Sequence, residues 1–394
     1  MITINKQTQQ FIQDNKEKDI HHLLLTKKLP SGVDIQMAIQ QIEAKKKAKI
    51  KLPSLSSNEN FIFPVKLSME QCSSEITARY KAKIVENGKT IDITGGLGID
   101  TIYMSDLVES MTYIEKNEKL FELAKHNFNI LHKPDILCVC KDSLEFLSES
   151  EQHFDWIYVD PVRRNVHKNK VFLLQDCEPN ILLHKQLFFS KANNLLVKAS
   201  PMLDISQAIK ELDYSVSDVH IISIRNDCKE LVFVCQEKQY ETPTIHCINF
   251  LNNKVQLFNF QQSEENLSAL NLAEDIQTYL YEPNISILKS GAFKLLSCRF
   301  QIQKLHTNTH LYTSCELLQD FPGRIFKVKA IFSATTIAFN KYLPKRQANV
   351  SVRNFPLTVN QLKNTYKIKD GGESYLFATT LVKNRKVIIL CEKI

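Results

Sequence analysis

A strand-like run that ends in three closely spaced glycines constrains this chain more than any other feature. In Ile91-Asp92-Ile93-Thr94-Gly95-Gly96-Leu97-Gly98-Ile99-Asp100-Thr101 an apolar strand stops at Thr94 and a helix is expected from about Asp100. Glycines at 95, 96 and 98 let the backbone turn tightly and approach a ligand without a Cβ in the way. The string nearly matches the dinucleotide-binding fingerprint, but Thr101 stands where its third glycine belongs. A strand, a glycine turn and a helix in succession predict an α/β fold with a parallel sheet covered by helices.

The residues downstream agree. Strands are expected at Thr90–Thr94, Met111–Glu115, Asp135–Cys140, Asp155–Val159 and Asn194–Lys198, with helices at Asn117–Leu131 and Lys185–Ala192 in the intervals. His220–Ile224 and Glu230–Cys235 are joined by too few residues for a crossover helix and read as a hairpin, which turns the last strand antiparallel. Five parallel strands closed by a hairpin make the Rossmann-like sheet of class I methyltransferases; a dehydrogenase domain would continue with parallel crossovers.

With 394 residues the chain is long for one domain at about 150 residues each. Its 43% hydrophobic and 24% charged residues exclude whole-chain disorder. No apolar run approaches the roughly 20 residues of a membrane span. The first 20 residues lack the apolar core of an export signal, so a cytoplasmic protein is expected. The ten cysteines form no CxxC pair, which predicts buried free thiols and no cysteine-built metal site. His21 and His22 have no partners at ligand spacing and read as surface residues.

Residues 1–85 read as a helical region, with apolar residues spaced by three and four in Ile35–Ala44 and Ser73–Val85. Between those segments the basic run Lys45–Lys51 ends at Pro53, and Ser54–Asn60 reads as a loop. The parallel sheet occupies 86–240. A second α/β segment follows over 241–320, with a polar stretch at Asn252–Leu267 that reads as a surface connection or exposed hairpin, and a helix at Ile285–Leu296. The end, 321–394, shows strands at Arg324–Ala330, Ser374–Ala378 and Val387–Cys391 and a helix near Val359–Thr365. Net charge is +6 over residues 1–90, −7 over 91–240 and +8 over 241–394, with +13 concentrated in 285–394. An acidic middle between basic ends suits a catalytic domain flanked by polyanion-binding parts, and equally a set of solvated lysine-rich faces.

Chemistry-bearing residues gather at expected strand ends. Glu115, followed by Lys116, ends the second strand 17 positions beyond Gly98, where a carboxylate accepts both ribose hydroxyls of an adenosine. S-adenosylmethionine and NAD share that adenosine, so Glu115 does not separate them. After the third strand, Asp142 and Ser143 stand where an adenine edge would lie, and Asp142 equally suits a helix N-cap. The fourth strand delivers Asp160-Pro161-Val162-Arg163-Arg164. Asp160 and the Pro161 carbonyl offer acceptors for a target amine, while Arg163 and Arg164 suit either substrate phosphates or local salt bridges. The fifth strand is followed by Ser200-Pro201, with no cysteine nucleophile nearby, which disfavours covalent attack on a pyrimidine carbon and leaves transfer to nitrogen or oxygen. Ahead of the glycine turn, Ser73 or Ser74 suits the cap of a helix carrying Glu75, Arg79 and Tyr80.

Five strings together resemble a family of bacterial class I S-adenosylmethionine-dependent methyltransferases with a THUMP-like C-terminus. They are SMEQCSSEITARYKA (68–82), DITGGLGIDT (92–101), YVDPVRR (158–164), YEPNISILKSGAFK (281–294), and FPLTVNQLK with KDGGESYLFATT (355–363, 369–380). The resemblance implies a helical N-terminus, a Rossmann-like catalytic domain, a ferredoxin-like piece and a THUMP-like end. A narrower similarity is to ribosomal RNA guanine-N2 methyltransferases: Asp92, Thr94, Gly96, Leu97, Gly98 and Asp100 match their glycine loop and Asp160-Pro161 their second motif. The sequence departs from them in having Val162, not an aromatic residue, after the Asp-Pro.

The expected protein is a methyltransferase that holds S-adenosyl-L-methionine on Asp92, Thr94, Gly95, Gly96, Gly98, Asp100, Glu115, Lys116, Asp142 and Ser143. Asp160, Pro161 and Arg163 would act on a base nitrogen of tRNA or rRNA, with no metal and no membrane involved. The alternatives are O-methylation of a small molecule or protein, and an inactive RNA-binding protein.

Overall fold

The computed structural model describes residues 4–18, 23, 30–64, 72–163 and 174–394, with Arg163 described by its backbone alone. His21, His22 and Arg164, singled out in the sequence, lie outside the described residues. Two compact units emerge. The first is Met1–Ala199 with Ser206–Val216 and Phe233–Gln239; the second is Ser200–Ile205, Ser217–Val232 and Tyr240–Ile394. No helix among the described residues is long and apolar enough to cross a membrane.

In the first unit, helices α1 (Lys6–Asn15), α2 (Ile35–Lys51), α3 (Pro53–Ser56) and α4 (Glu75–Ile84) precede the sheet. The basic run is helical: α2 continues to Lys51, and Lys49 and Lys51 in its last turn suit the negative end of the helix dipole. Its lysines are also engaged locally: Lys45 Nζ donates to the Glu59 carbonyl (2.9 Å), Lys46 Nζ to the Lys18 carbonyl (2.6 Å), and Lys49 pairs with Glu17. The stretch expected as a loop opens with the short α3, where Pro53 occupies the first turn and loses no helical hydrogen bond. Ser74, not Ser73, caps α4 by accepting from the Thr77 N–H.

The sheet strands are β1 (Lys89–Asp92), β2 (Ser110–Ile114), β3 (Ile136–Val139), β4 (Phe154–Val159), β5 (Val162–Arg163), β6 (Cys177–Glu178) and β7 (Ala192–Ala199). Helices α5 (Ile99–Met104), α6 (Glu118–Ile130), α7 (Ser143–Glu149) and α8 (Ile181–Lys191) alternate with them. Five strands are parallel in the order β7-β4-β1-β2-β3, while β5 and β6 form a separate antiparallel ribbon. Chain progress runs from β1 out to β3 and then returns to β4 on the other side of β1. That reversal opens a crevice beyond the C-terminal ends of β1 and β4. At the other side of β7, Gln236 lies in the same unit and donates to the Asn194 side chain at 2.7 Å.

Most of β8 (Val216–Ile224) and the first six residues of β9 (Asp227–Gln236) belong to the second unit, where they are neighbours joined by Arg225 and Asn226, both at positive φ (52° and 62°), the geometry of a tight hairpin turn. The expected hairpin is present. β10 (Thr244–Phe250) runs parallel to β8 and antiparallel to β11 (Val255–Gln261), so of the two readings of the polar stretch the hairpin is the one present. A second sheet has the order β13-β14-β12-β15-β18-β17-β16, from β12 (Tyr279–Pro283), β13 (Gln303–His306), β14 (Thr309–Ser314), β15 (Gly323–Phe332), β16 (Asn349–Arg353), β17 (Ser374–Thr380) and β18 (Lys386–Lys393). Successive residues of β17 and β18 serve different cores: Leu376 and Ile388 join Phe339 and Leu362, whereas Phe377 and Ile389 join Leu280 and Phe326. The helix expected at Ile285–Leu296 is two, Ile285–Ser290 and Phe293–Phe300, because Gly291 turns left-handed (φ 78°) between them. The thiols depart from expectation as well: Cys235, Cys247 and Cys391 are buried, but Cys140, Cys298 and Cys315 are exposed.

One buried ion pair pins the N-terminal helices to the sheet. Lys81 of α4 is fully buried and meets Asp100 of α5 at 3.0 Å, while donating to Ser73 Oγ at 2.8 Å. Burial pushes the Asp100 carboxyl up, but the charges of Lys81 and Lys198 and the hydroxyls of Tyr158 and Ser73 outweigh it and hold it below the ordinary range. Such an acid contributes stability above its unfolded pKa and loses that contribution as pH falls through the folded one. Lys81→Met should therefore cost about 3–5 kcal/mol at pH 7, where it strands a buried carboxylate, and less in acid as Asp100 takes up a proton. Urea denaturation of both proteins at pH 7 and pH 4.5 checks the size and the trend.

Candidate active site

A cavity of about 330 Å³ fills the crevice beyond β1 and β4, a size suited to a small-molecule ligand. Its floor is the glycine loop, and the three glycines serve different ends. A Cβ on Gly95 would lie 2.2 Å from the Tyr113 ring and 2.7 Å from the Ile114 carbonyl, and one on Gly98 would lie 2.5 Å from the Phe128 ring. Those two are required by protein packing, not by a ligand. Gly96 (φ 53°) has only the Thr94 carbonyl near, at 3.7 Å, so its outer side is open space.

Acidic groups surround the loop. Asp92 is buried; its Oδ1 accepts from the Thr94 N–H (3.0 Å) and its Oδ2 from the Thr101 hydroxyl (2.7 Å). Burial pushes its carboxyl up to about 7; the bonds from Thr101 and Thr94 oppose this, and the charges of Asp100 and Asp160 add to it. Thr101, the residue that spoils the dinucleotide pattern, is thus the partner of Asp92. Asp100 Oδ2 accepts from the Ser73 hydroxyl and the Tyr158 phenol, both at 2.7 Å. Glu115 accepts from the Gly96 N–H (2.8 Å) and the Asn117 N–H (2.7 Å), which hold its carboxylate over the loop. A carboxylate has about four lone-pair sites, so capacity remains for hydroxyl donors.

Farther round, Asp142 caps α7 through Oδ1, accepting from the Leu144 and Glu145 N–H groups at 3.0 and 3.3 Å. The capping reading therefore holds, and its second oxygen makes no hydrogen bond among the described residues. Ser143 and Lys116 line the cavity beside it, with Lys116 Nζ 3.0 Å from Glu178.

The β4 corner supplies Asp160. Its N–H donates to Thr94 Oγ1 (2.7 Å) and its Oδ2 accepts from Lys198 Nζ (2.5 Å). Thr94, expected on the cofactor, lines the cavity while accepting from the Asp160 backbone. Pro161, expected at the reacting end, is not among the lining residues, because the chain turns there into β5 and Val162 takes the place. The Arg163 side chain lies outside the described residues. Sequence reasoning missed Lys198, and also Glu178, Asn180 and His184, which reach the cavity because Val162 pairs with Glu178 in the β5–β6 ribbon. Strand register was the one signal for Lys198; the ribbon left none. Among the described residues no group of three or more His, Cys, Asp or Glu side chains could hold a metal ion.

Known proteins resemble the chain in its domains and in its whole length. A ferredoxin-like domain family matches residues 279–322, and a THUMP domain-like family matches 323–393. An uncharacterized RNA methyltransferase of Mycoplasma mobile is 23% identical over 148 residues, or 36% of this chain, and the match spans 40% of that protein's length. The crystal structure of a proposed methyltransferase from Porphyromonas gingivalis W83 is 32% identical, covers 100% of both chains and superposes with a TM-score of 0.88. Likeness of that extent has one consequence: the chain belongs to the methyltransferase family that carries ferredoxin-like and THUMP-like domains at its C-terminus.

Proposed function

We propose that the protein is a cytoplasmic, S-adenosylmethionine-dependent class I methyltransferase acting on a base nitrogen of tRNA or rRNA. One observation carries the reading: a single cavity joins the glycine loop after β1 to Asp160 after β4. The residues present fit the donor. Open space over Gly96 admits the adenosyl group, Glu115 would take the ribose hydroxyls, and the second Asp142 oxygen the adenine amine. Asp92 and Asp100 supply negative charge at the loop, with Lys116 and Ser143 closing the adenosine end.

Bound S-adenosylmethionine supplies the methyl group as an electrophile on a sulfonium. Asp160 accepts a hydrogen bond from the target amine, turns its lone pair toward the cavity and takes the proton released when the nitrogen is methylated. Holding two reactants in line is where most of the acceleration in such a transfer arises. Support for RNA comes from the +13 charge over 285–394, the THUMP domain-like match and the RNA methyltransferase relative. The proposed organisation is an N-terminal helical region to residue 85, the catalytic domain to 240, a ferredoxin-like segment to 320 and the THUMP-like end.

Calorimetry tests the donor. A sulfonium favours ionised Asp92, so affinity should rise between pH 6 and pH 8 with proton release on binding. S-adenosylhomocysteine, which lacks that charge, should show a shallower rise, and Asp92→Asn should remove the difference. Asp160→Ala should reduce methyl transfer by about a hundredfold or more while donor affinity stays within about threefold. Comparing methylated nucleosides in RNA from cells with and without the gene identifies the product: one nucleoside should vanish and return on complementation. An unchanged profile would count against RNA as the acceptor.

A further inference from the structure

Lys198 is a half-buried cation behind Asp160, at the reacting end of the cavity, to which the proposed function gives no part. β4 and β7 are parallel neighbours with Val159 opposite Val197. One step further along that register stand Asp160 and Lys198, at the C-terminal edge of the sheet. The lysine side chain is 11% exposed against 35% for the aspartate, and Nζ lies 2.5 Å from Oδ2. An ammonium kept this dry in an enclosed corner is unlike the exposed surface pairs that contribute almost nothing.

Asp160 is thereby anchored twice. Its N–H is tied to Thr94 Oγ1 and its Oδ2 to Lys198, which among the described residues leaves Oδ1 as the oxygen offered to a substrate. Lys198 also acts beyond its partner, since its positive charge bears on Asp100. Three carboxylates, at positions 92, 100 and 160, crowd the ends of β1 and β4, and this side chain is one of the cations that let them coexist.

We propose that Lys198 is the positioning residue of Asp160, holding one carboxylate oxygen so that the other receives an N–H of the acceptor. The inference rests on the reading of Asp160 given above and narrows the acceptor to a group with a hydrogen on the reacting nitrogen. An anion held by an ammonium accepts hydrogen bonds and donates none. The Asp160 carboxylate itself offers no donor to a carbonyl oxygen or an unprotonated ring nitrogen.

The test uses the full-length protein, tritiated S-adenosylmethionine and total RNA from cells lacking the gene. Lys198→Met is expected to lower kcat by about 10- to 100-fold, with KM for RNA and donor affinity within about threefold of wild type. Lys198→Arg, which keeps the charge and reaches the same oxygen, should recover most of the rate. Lys198→Met added to Asp160→Asn should cost little beyond Asp160→Asn alone, because both remove one unit. Equal kcat in Lys198→Met, additive losses, or a loss of donor affinity matching the loss of rate would each overturn the proposal. Crystals of the variants decide it without RNA: the Asp160 carboxylate should leave its position in Lys198→Met and keep it in Lys198→Arg. An unmoved carboxylate in Lys198→Met defeats the positioning role. Absence of tritium transfer by the wild-type protein would count against the RNA reading, and the crystals alone would then settle Lys198.

Discussion

One hydrogen bond, from the Asp160 backbone to the Thr94 hydroxyl at 2.7 Å, ties the two halves of the site together. Thr94 also donates its own N–H to Asp92, so a single threonine at the end of β1 fixes the glycine loop on one side and the β4 corner on the other. Its place follows from topology. β1 and β4 are neighbours although 61 residues lie between the end of β1 at Asp92 and the start of β4 at Phe154, and the chain must return across the sheet to make them so. The crevice is a consequence of strand order, and the threonine keeps its two lips in register. Removing the hydroxyl would leave the Asp160 N–H without that partner at the point where the carboxylate must be aimed, a cost of about 1–3 kcal/mol if the group stays buried.

Charge balance is the second constraint. Two of the carboxylates at the crevice meet opposite fates within one environment. Asp100 has Lys81 at 3.0 Å and two hydroxyl donors and is held ionised; Asp92 has two donors and no adjacent cation, and burial pushes it up to about 7. Desolvation acts on both, and a paired ammonium decides which one keeps its proton. An acid poised near neutrality beside a cleft that fits a cationic donor can respond to the arrival of that charge. Lys198 extends the same logic to Asp160 at the other lip.

Much of the first unit was legible in the residues. All five parallel strands fall within two residues of their expected bounds at each end, because buried parallel strands are short continuous apolar runs bounded by turn residues. Glu115 and Asp160 were placed correctly at the cavity because strand ends in such a sheet converge there. What stayed hidden depended on partners distant in sequence. That Gly95 and Gly98 accommodate Tyr113 and Phe128 requires knowing how β2 and α6 pack on the loop. The role of Lys198 requires the β4–β7 register, and that of Glu178 a two-residue ribbon too short to leave a periodic pattern. β16 was missed: Asn349-Val350-Ser351-Val352-Arg353 alternates polar and apolar residues, but over a run too short and with too few apolar residues to stand out, and the strand is half-buried along its whole length.

The same distinction between counted and available residues governs the basic C-terminal segment. A net +13 suggests a uniformly cationic surface, yet much of that charge is spoken for. Glu282, buried in β12, binds both Arg324 and Arg353; Lys329 pairs with Glu392, Lys363 with Asp370 and Arg385 with Asp275. Lys304 is buried, and its ammonium is capped by the His306 and Thr307 carbonyls. Exposed lysines without an ion pair among the described residues are Lys327, Lys341, Lys386 and Lys393 within strands and a helix, and, on the connections, Lys345 after the helix Thr336–Tyr342, Lys367 and Lys369 after Val359–Tyr366, and Lys383 at the turn into β18. Phosphate attraction scales with the cations free to release counterions, not with the sequence total. In the proposed reading these exposed lysines, rather than the arginines locked on Glu282, would carry the salt dependence of RNA binding. The Glu282 cluster instead joins β12 to β15 and β16, and its arginines serve the fold.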